Sequence, residues 1–325
     1  MDSHDLVMFK AVADHGGITR AAEHLHCVQS NVTARIRNLE QELGLPLFRR
    51  HSRGVELTPA GQRLLPYAEK IGALLREGVK AARDDGTPQG GLAIGSLETT
   101  AAVRLPPVVA AYRRQFAQVD LTIRTGTSAE LVEAVLDHQV DLALAAPSAP
   151  HPDLVIEPVW VEEMVMVTAA GANAWPPVGN PTILVFRAGC SYRNRLERLL
   201  AGMGAETPRC MEFGTLEGII GCVAAGVGIT LLPRAVIARI RPAGIECHNL
   251  DHDTARVVTG LIRRADAYPT AAVTAFIACA HAFAVESPPA SGASACLDPL
   301  QEGRDLAVER VGVKRQGLRI AEQSP

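Results

Sequence analysis

The chain has 325 residues, of which 47% are hydrophobic and 21% are charged, and its formal net charge at pH 7 is −3. This balance predicts a globular protein of two or three domains and excludes a fibrous or disordered chain. Because the net charge is close to zero, DNA binding has to be argued from local patterns of residues rather than from a strongly basic composition.

The amino terminus lacks the basic start and the apolar stretch of a secretory signal, and the longest nearly uncharged run, 218–233, is too short to cross a membrane. We therefore expect a cytoplasmic protein with no membrane partner. The seven cysteines are widely spread and are never arranged as Cys-x-x-Cys. This spacing predicts no disulfide framework and no metal site, and we expect no cofactor.

Three short helices are predicted before residue 44, because apolar residues recur there at helical spacing. Gly16 and Gly17 separate the first helix from the second, whose N-cap we expect at Thr19. The third helix is expected to begin at Gln29 or Ser30, after a tight connection. The residues expected to face the core are Leu6, Phe9, Val12, Ala21, Ala22, Leu25, Val32, Ile36 and Leu39.

A basic hairpin, or wing, and a long helix are predicted next. The wing contains Arg49, Arg50 and Arg53. Thr58 followed by Pro59 indicates an N-cap with proline in the first helical turn. We therefore divide this part of the chain into a winged helix-turn-helix, 1–58, and a linker helix with a hinge, 59–89.

Strands and helices alternate from residue 90 onward, which predicts an α/β domain of two lobes over 90–285. The strand candidates are 92–96, 120–125, 140–145, 155–160, 163–169, 182–186, 209–213, 228–232 and 256–262. The composition then changes to Ser, Pro, Ala and Gly, so we expect 286–325 to be mostly unstructured. The predicted fold is thus an all-α winged helix-turn-helix with a linker helix, followed by a two-lobed α/β domain.

The third helix has the position and the composition of a DNA-recognition helix. Its outward side chains, opposite Val32, Ile36 and Leu39, are suited to base edges and phosphate oxygens. They include Ser30, Asn31, Thr33, Arg35 and Arg37. The three wing arginines would bind phosphates. A solvated helix face is the alternative for each residue taken alone, but the helix-turn-helix context favours DNA.

Several segments at fixed offsets extend this pattern: AAEHL at 21–25, VQSNVTARI at 28–36, LFRR at 47–50 and LTPAG at 57–61. They resemble the DNA-binding domain of LysR-type transcriptional regulators. The resemblance implies a groove contact by Gln29, Ser30, Thr33, Arg35 and Arg37, a wing contact by Arg53, and a dimer-forming helix over 59 to about 86. Asn31 and Ala34 depart from the residues usual in the family, so the bases that are read stay open.

Two turns in the α/β domain lead from a strand into a helix and offer hydroxyls beside unpaired backbone N–H groups, an arrangement suited to a carboxylate. Their residues are Ser96, Thr99, Thr100, Thr127 and Ser128. An ordinary N-cap is the alternative for each turn. LAIG at 92–95 and VAAGVGITLLP at 223–233 resemble the family's effector-binding domain. The resemblance implies a periplasmic-binding-protein-like fold in which Thr99 and Thr127 contact the effector, with the other three residues nearby.

A third turn, in the second lobe, contains Arg187, Cys190, Tyr192 and Arg193. Either arginine would neutralise an anionic effector, whereas Glu98 in the first turn favours a zwitterion such as an amino acid. Cys190, at a predicted helix N-terminus and near arginines, is expected to have a lowered thiol pKa.

These residues leave four functions to be weighed. The favoured one is a non-enzymatic regulator that binds double-stranded operator DNA and a small carboxylate or amino-acid-like effector, as a homodimer or homotetramer. A thiol-based redox regulator acting through Cys190 is the alternative. A cysteine-dependent enzyme is less favoured, because no histidine falls in a recognisable catalytic pattern, and a transport protein is disfavoured by the helix-turn-helix.

Overall fold

The computed structural model of the protein describes residues 1–285 apart from 52, 53, 148, 173, 174 and 206. The wing residue Arg53 and the predicted tail, 286–325, lie outside the described residues. Within the described part, no helix is both long and apolar enough to cross a membrane, and no three His, Cys, Asp or Glu side chains are grouped to bind a metal ion.

The amino-terminal helices lie where the apolar spacing predicts them. They are α1 (Ser3–His15), α2 (Ile18–His24) and α3 (Gln29–Leu43). The prediction of Thr19 as the N-cap of α2 is wrong. Gly17 has the extended backbone of an N-cap, and its carbonyl accepts a hydrogen bond from Ala21 N at 3.0 Å, so the helix begins before Thr19.

The apolar faces of these helices meet in one core, in which Phe9, Val32, Ile36 and Leu39 are at most 1% exposed. The ring of Phe9 lies 5.2 Å from that of Phe48. Burial of each large apolar side chain contributes about 1.5–3 kcal/mol. All nine side chains that were predicted to face the core do so, although Leu25 is only partly buried.

The wing is a short antiparallel hairpin of β1 (Phe48–His51) and β2 (Gly54–Leu57). Glu40 on α3 fixes its start, because Glu40 Oε1 accepts hydrogen bonds from Leu47 N at 2.8 Å and Phe48 N at 3.2 Å. The linker helix, α4 (Pro59–Arg83), follows. Thr58 is its N-cap, as predicted, and the helix continues through Pro66.

The α/β domain has nine strands and eight helices among its described residues. The strands are β3 (Gly90–Ser96), β4 (Val119–Thr125), β5 (Leu142–Ala145), β6 (Leu154–Ala169), β7 (Thr182–Phe186), β8 (Arg209–Phe213), β9 (Thr230–Pro233), β10 (Ile245–Asn249) and β11 (Arg256–Arg264). The helices are α5 (Glu98–Val103), α6 (Leu105–Gln115), α7 (Ser128–Leu136), α8 (Ser191–Gly202), α9 (Leu216–Ala224), α10 (Arg234–Ile240), α11 (His252–Ala255) and α12 (Ala271–Val285).

Every predicted strand is present, but 155–160 and 163–169 belong to the single strand β6, because Val161 and Glu162 continue the pairing with β11. Strand β10 was not predicted. Its residues, Ile-Glu-Cys-His-Asn, are short and partly polar, and only pairing with β6 identifies them as a strand.

Two long antiparallel strands, β6 and β11, connect the two lobes. In the first lobe β11 pairs with β5, and β3 lies between β5 and β4 in parallel pairing. In the second lobe β6 pairs with β9 and β10, while β7 and β8 form a parallel pair. Because β3 and β4 are parallel neighbours, the turns that follow them lie at the same edge of the sheet.

The start of α4 packs against the wing through a glycine, which generates a stability prediction. A Cβ atom at Gly61 would lie 2.4 Å from Leu47 O, a backbone atom that cannot move alone. Gly61→Ala is therefore expected to destabilise the protein by about 1–3 kcal/mol, measured by urea unfolding followed by far-UV ellipticity.

Gly78→Ala is the matched control in the same helix, because a Cβ atom there has no neighbour within 4 Å. Alanine has the higher helix propensity, so this variant is expected to gain up to about 1 kcal/mol. Equal effects of the two substitutions would contradict the close contact between α4 and the wing.

Candidate DNA-reading face and effector cleft

The turn between α2 and α3 is tight and positions α3 as the second helix of the pair. Cys27 N donates to Ala22 O at 3.0 Å, and His26 has a positive φ of 51°. With its apolar side buried, α3 presents its polar side outward. The side chains of Gln29, Ser30, Asn31 and Arg37 are exposed, whereas Thr33 and Arg35 are half-buried. The Thr33 hydroxyl donates to Gln29 O at 2.9 Å, within the helix.

Arg35 differs from the other outward residues of α3, because it forms ion pairs within the protein. Its Nη1 lies 3.0 Å from Asp5 Oδ1 and 3.3 Å from Asp2 Oδ2, both at the start of α1. The hydrogen bonds to these two carboxylates raise the pKa of Arg35, that to Asp5 most. Arg35 thus joins α1 to α3, a role that the helical spacing of α3 alone does not reveal.

The wing presents Arg49 and Arg50 from the exposed strand β1. Arg49 lies opposite Glu56 and Arg50 opposite Val55 across the hairpin. The wing is also fixed to the turn that precedes α2, because Val55 N donates to Gly16 O at 3.2 Å. The basic side chains of the wing are therefore on a hairpin that is connected to the helix-turn-helix at two places, one on each strand.

A cavity that is partly open to solvent lies between the two lobes. The first lobe contributes the turns after β3 and β4, and the second contributes the turns after β7 and β8. Its lining residues are Leu97, Glu98, Thr99, Thr125, Gly126, Thr127, Phe186, Arg187, Cys190, Tyr192, Phe213 and Gly214. The structure thus brings Thr99, Thr127, Arg187, Cys190 and Tyr192 of the predicted residues to one cavity.

Ser96, Thr100, Ser128 and Arg193 do not line this cavity. Ser96, Thr100 and Ser128 are buried behind it. Arg193 forms ion pairs with Glu197 at 2.9 Å and with Glu212, and these carboxylates raise its pKa. Glu197 lies one turn along α8, and Glu212 lies on β8. The positive charge of Arg193 is therefore already balanced within the protein.

Buried hydroxyls without regular hydrogen bonds are concentrated at the cavity. Thr99 Oγ1, the Tyr192 hydroxyl and Thr259 Oγ1 form no hydrogen bond of regular geometry among the described residues, although the Tyr192 hydroxyl lies close to both threonine hydroxyls. Burial raises the pKa of Tyr192, and the neighbouring hydroxyls of Thr99 and Thr259 offset this effect only in part. An unsatisfied buried hydroxyl costs about 1–3 kcal/mol, so a polar ligand reaching Thr99 and Tyr192 would recover this free energy.

Glu130 is a charged residue of the cleft that the sequence analysis missed. Its carboxylate accepts a hydrogen bond from Thr127 N at 2.9 Å, while Thr127 Oγ1 accepts from Glu130 N at 3.3 Å. Glu130 Oε2 also lies 3.3 Å from Arg187 Nη2 of the second lobe. The spacing Thr127-x-x-Glu130 is a capping box, a sequence signal that could have identified this residue.

The expectation of a lowered thiol pKa at Cys190 is wrong. Cys190 is 4% exposed, and burial raises the pKa of its thiol. The backbone N–H groups of Arg193 and Tyr192, followed by the charge of Arg193, lower the pKa, but burial outweighs them. Because the thiolate is the reactive species, the structure disfavours the redox alternative.

This difference predicts the order in which the cysteines react. Cys210 is exposed whereas Cys190 is buried, so iodoacetamide at pH 7.5 is expected to alkylate Cys190 at least about tenfold more slowly than Cys210. Because its pKa is raised, the Cys190 rate should increase only at a higher pH than that of an ordinary thiol. Peptide mass spectrometry measures both rates, and unfolded protein is the control. Faster reaction at Cys190 would contradict the burial argument.

Two family models match the chain. Residues 3–62 match "Bacterial regulatory helix-turn-helix protein, lysR family", and residues 85–284 match "LysR substrate binding domain". The chain is 45% identical over 276 residues to the HTH-type transcriptional regulator GltR of Bacillus subtilis (strain 168), covering 84% of this chain and 93% of GltR. It is 40% identical over 278 residues to the HTH-type transcriptional regulator CzcR of Bacillus cereus, covering 85% of this chain and 96% of CzcR.

Solved structures show the same fold. A full-length OxyR variant from Pseudomonas aeruginosa is 20% identical with a TM-score of 0.64, covering 88% of this chain and 95% of OxyR. Full-length CbnR complexed with its target DNA is 23% identical with a TM-score of 0.62, covering 87% of this chain and 100% of CbnR. Together with the two family models, these matches show that the chain belongs to the LysR family of DNA-binding transcriptional regulators, with an effector-binding domain after the helix-turn-helix.

Proposed function

We propose that this LysR-family regulator reads operator DNA with the exposed side of α3 and with its wing. A small carboxylate or amino-acid-like effector bound between the lobes changes the arrangement of the protein on DNA. The observation that supports the effector site most directly is the pair of buried hydroxyls, Thr99 and Tyr192, which border one interlobe cavity and form no hydrogen bond of regular geometry.

The charges of the cleft favour a ligand that has both signs. Glu98 and Arg187 line the cavity, and Glu130 lies 3.3 Å from Arg187. A carboxylate group near Arg187 would be attracted, and an ammonium group would compensate Glu98 and Glu130. Thr127 is already used in a capping box, so we propose that Thr99 and Tyr192 provide the hydroxyl contacts and that Ser96, Thr100, Ser128 and Cys190 support the walls.

On the DNA side, we assign base contacts to the exposed residues Gln29, Ser30, Asn31 and Arg37, and phosphate contacts to Thr33, Arg49, Arg50 and Arg53. Arginine pairs bidentately with guanine, and asparagine or glutamine with adenine. We propose that Arg35 is a positioning residue, because its guanidinium is engaged by Asp5 and Asp2.

We propose that the protein acts as a homodimer or homotetramer formed through α4. Four large apolar side chains of α4 are about half exposed or more in the single chain: Tyr67, Leu74, Leu75 and Val79. Such a stripe is normally covered by a partner. The functional parts would be the reader, 1–58, the linker helix and hinge, 59–89, and the effector domain, 90–285, with 286–325 as an unstructured tail.

We also propose that the protein is not an enzyme and that it acts in the cytoplasm, where operator DNA is present. The buried Cys190 thiol with its raised pKa is a poor nucleophile. The relatives GltR and CzcR are both named as transcriptional regulators, which supports the same proposal.

The effector site is tested with Thr99→Val, which removes the buried hydroxyl while preserving the shape of the side chain. A thermal-shift screen of amino acids and small carboxylates would identify a ligand of the wild-type protein. Thr99→Val is expected to weaken binding of that ligand at least about fivefold, through loss of one hydrogen bond of about 1 kcal/mol or more, without a change in operator affinity. Thr122→Val, on the exposed part of β4, is the matched control. An unchanged ligand affinity in Thr99→Val would refute the cleft assignment.

The two arginines of α3 should behave differently towards DNA. Arg37→Ala is expected to reduce affinity for an operator duplex about 10- to 100-fold and to relax the preference at one base position. Arg35→Ala should lower the melting temperature, because it leaves the largely buried Asp5 without its cation, and should weaken all duplexes alike. Fluorescence anisotropy with a library of single-base operator variants distinguishes these results, with Arg239→Ala in the α/β domain as the control. A base-specific loss in Arg35→Ala would contradict its positioning role.

A further inference from the structure

Glu77, in the linker helix α4, is the centre of a charged contact with the α/β domain. Its carboxylate accepts two hydrogen bonds from Arg264 Nη2 of β11, at 2.7 and 2.8 Å, and lies 3.1 Å from His138 Nδ1. Burial raises the pKa of Glu77, but the hydrogen bonds from Arg264 and His138 outweigh it and lower the pKa. At pH 7 Glu77 is therefore ionised. It is bound to Arg264 at the end of β11 and to His138 just after α7.

Two further ion pairs flank this contact along α4. Lys70 Nζ lies 2.9 Å from Asp137 Oδ1, and Lys80 Nζ lies 2.9 Å from Asp141 Oδ1. Lys70, Glu77 and Lys80 are separated by seven and three residues, so they share one face of the helix. We call Lys70, Glu77 and Lys80, with their partners Asp137, His138, Asp141 and Arg264, the linker latch.

Two of the latch partners come directly after α7, the helix that begins in the effector cleft. Thr127, the N-cap of α7, lines the cavity. Nine residues later the helix ends, and Asp137 and His138 follow it. The helix is about 13 Å long. Leu131 and Val135 are fully buried in the core of the domain, so α7 is expected to move as one unit rather than to deform.

The cleft end of α7 is also bound to the second lobe. Ala129 N donates a hydrogen bond to Gly189 O at 3.2 Å, and the Ser128 and Ser191 hydroxyls lie 3.2 Å apart. A Cβ atom at Gly189 would lie 2.8 Å from Ala129 Cβ. The position of the α7 N-terminus thus depends on the separation of the lobes, while its C-terminus is bound to α4.

We propose that α7 couples the effector cleft to the linker helix. A change in lobe separation displaces the N-terminus of α7, the rigid helix transmits the displacement, and the contacts of Asp137 with Lys70 and of His138 with Glu77 convey it to α4. Since α4 directly follows the wing, this route connects the cleft with the DNA-reading domain inside a single chain. The inference rests on the proposed function, because it assumes that the cleft controls DNA binding.

The test does not require the natural effector, because substitutions can alter the cleft directly. Gly189→Ala brings a Cβ atom against Ala129 on α7 and also strains the backbone, because Gly189 has a positive φ of 89°. Ser191→Ala removes the hydrogen bond between the Ser128 and Ser191 hydroxyls and is the gentler change should the first variant fold poorly. Each is made in the full-length wild-type background and in a Glu77→Gln background. The readout is the Kd for an operator duplex selected from random sequence with the wild-type protein.

In the wild-type background, at least one cleft substitution is expected to change the operator Kd about fivefold or more, the usual lower range of allosteric coupling. In the Glu77→Gln background the same substitution should change the Kd less than twofold. Glu69→Gln is the matched control on α4, since no hydrogen bond or ion pair of Glu69 occurs among the described residues, and it should preserve the fivefold response.

A charge exchange tests the route without disturbing the buried part of the latch. Lys70 and Asp137 are both partly solvent-exposed, with 48% and 41% of their side-chain area accessible. Lys70→Asp or Asp137→Lys alone should reduce the response to the cleft substitution, and the two together should restore it. Loss of packing alone would not be repaired by the second substitution, so restoration identifies coupling rather than general destabilisation.

Two negative results have different meanings. A fivefold response that persists in Glu77→Gln and in both single charge variants would overturn the α7 route but leave the proposed effector cleft intact. If neither cleft substitution alters operator affinity in the wild-type background, the coupling proposal and the proposed function of the cleft both fail.

Discussion

The burial of one side of α3 determines what the rest of the amino-terminal domain can do. Val32, Ile36 and Leu39 pack into the core formed with α1 and Phe48. Because these three side chains fix the rotation of the helix, the polar side that contains Gln29, Asn31 and Arg37 has to face outward. The ion pair of Arg35 with Asp5, in the middle of the helix, and the two hydrogen bonds accepted by Glu40, near its carboxyl end, add polar restraints on the same helix. The outward orientation of the polar side of α3 thus follows from the packing of its apolar side rather than from charge.

The α/β domain obeys a comparable constraint. In the described part of the chain, the long paired strands β6 and β11 join the two lobes within one continuous sheet, and the cleft forms where turns of the two lobes meet. The turns after β3 and β4 lie at one sheet edge and face the turn after β7. Hydroxyls of Thr99 and Tyr192 are buried at this boundary without hydrogen bonds of regular geometry, and Arg187 meets Glu130 across it. A polar cleft is the chemical result of this topology.

Local patterns in the sequence were sufficient for most of the fold. Helical spacing located α1 to α3, and alternating or continuous apolar runs located eight of the nine strands of the α/β domain. The capping pattern at Thr58 located the start of α4. Strand β10 was missed because its short, partly polar sequence becomes a strand only when it pairs with β6. The spacing of α3 identified its exposed residues but not the ion pair of Arg35, because Asp5 is 30 positions away.

The chemistry of the sites was less accessible from the sequence. The thiol of Cys190 has a helix N-terminus and arginines nearby, as the sequence suggests, but its burial raises the pKa by more than these lower it. Glu77 and Arg264 are 187 positions apart, and no local pattern relates them.

The central claim is that the exposed side of α3 contacts duplex DNA. Amide hydrogen exchange of the full-length protein, measured with and without an operator duplex selected from random sequence, tests it most directly. We predict that DNA slows exchange in residues 28–38 and in the wing, while α9 in the second lobe is unaffected. Unchanged exchange throughout α3 and the wing under saturating DNA would contradict the account.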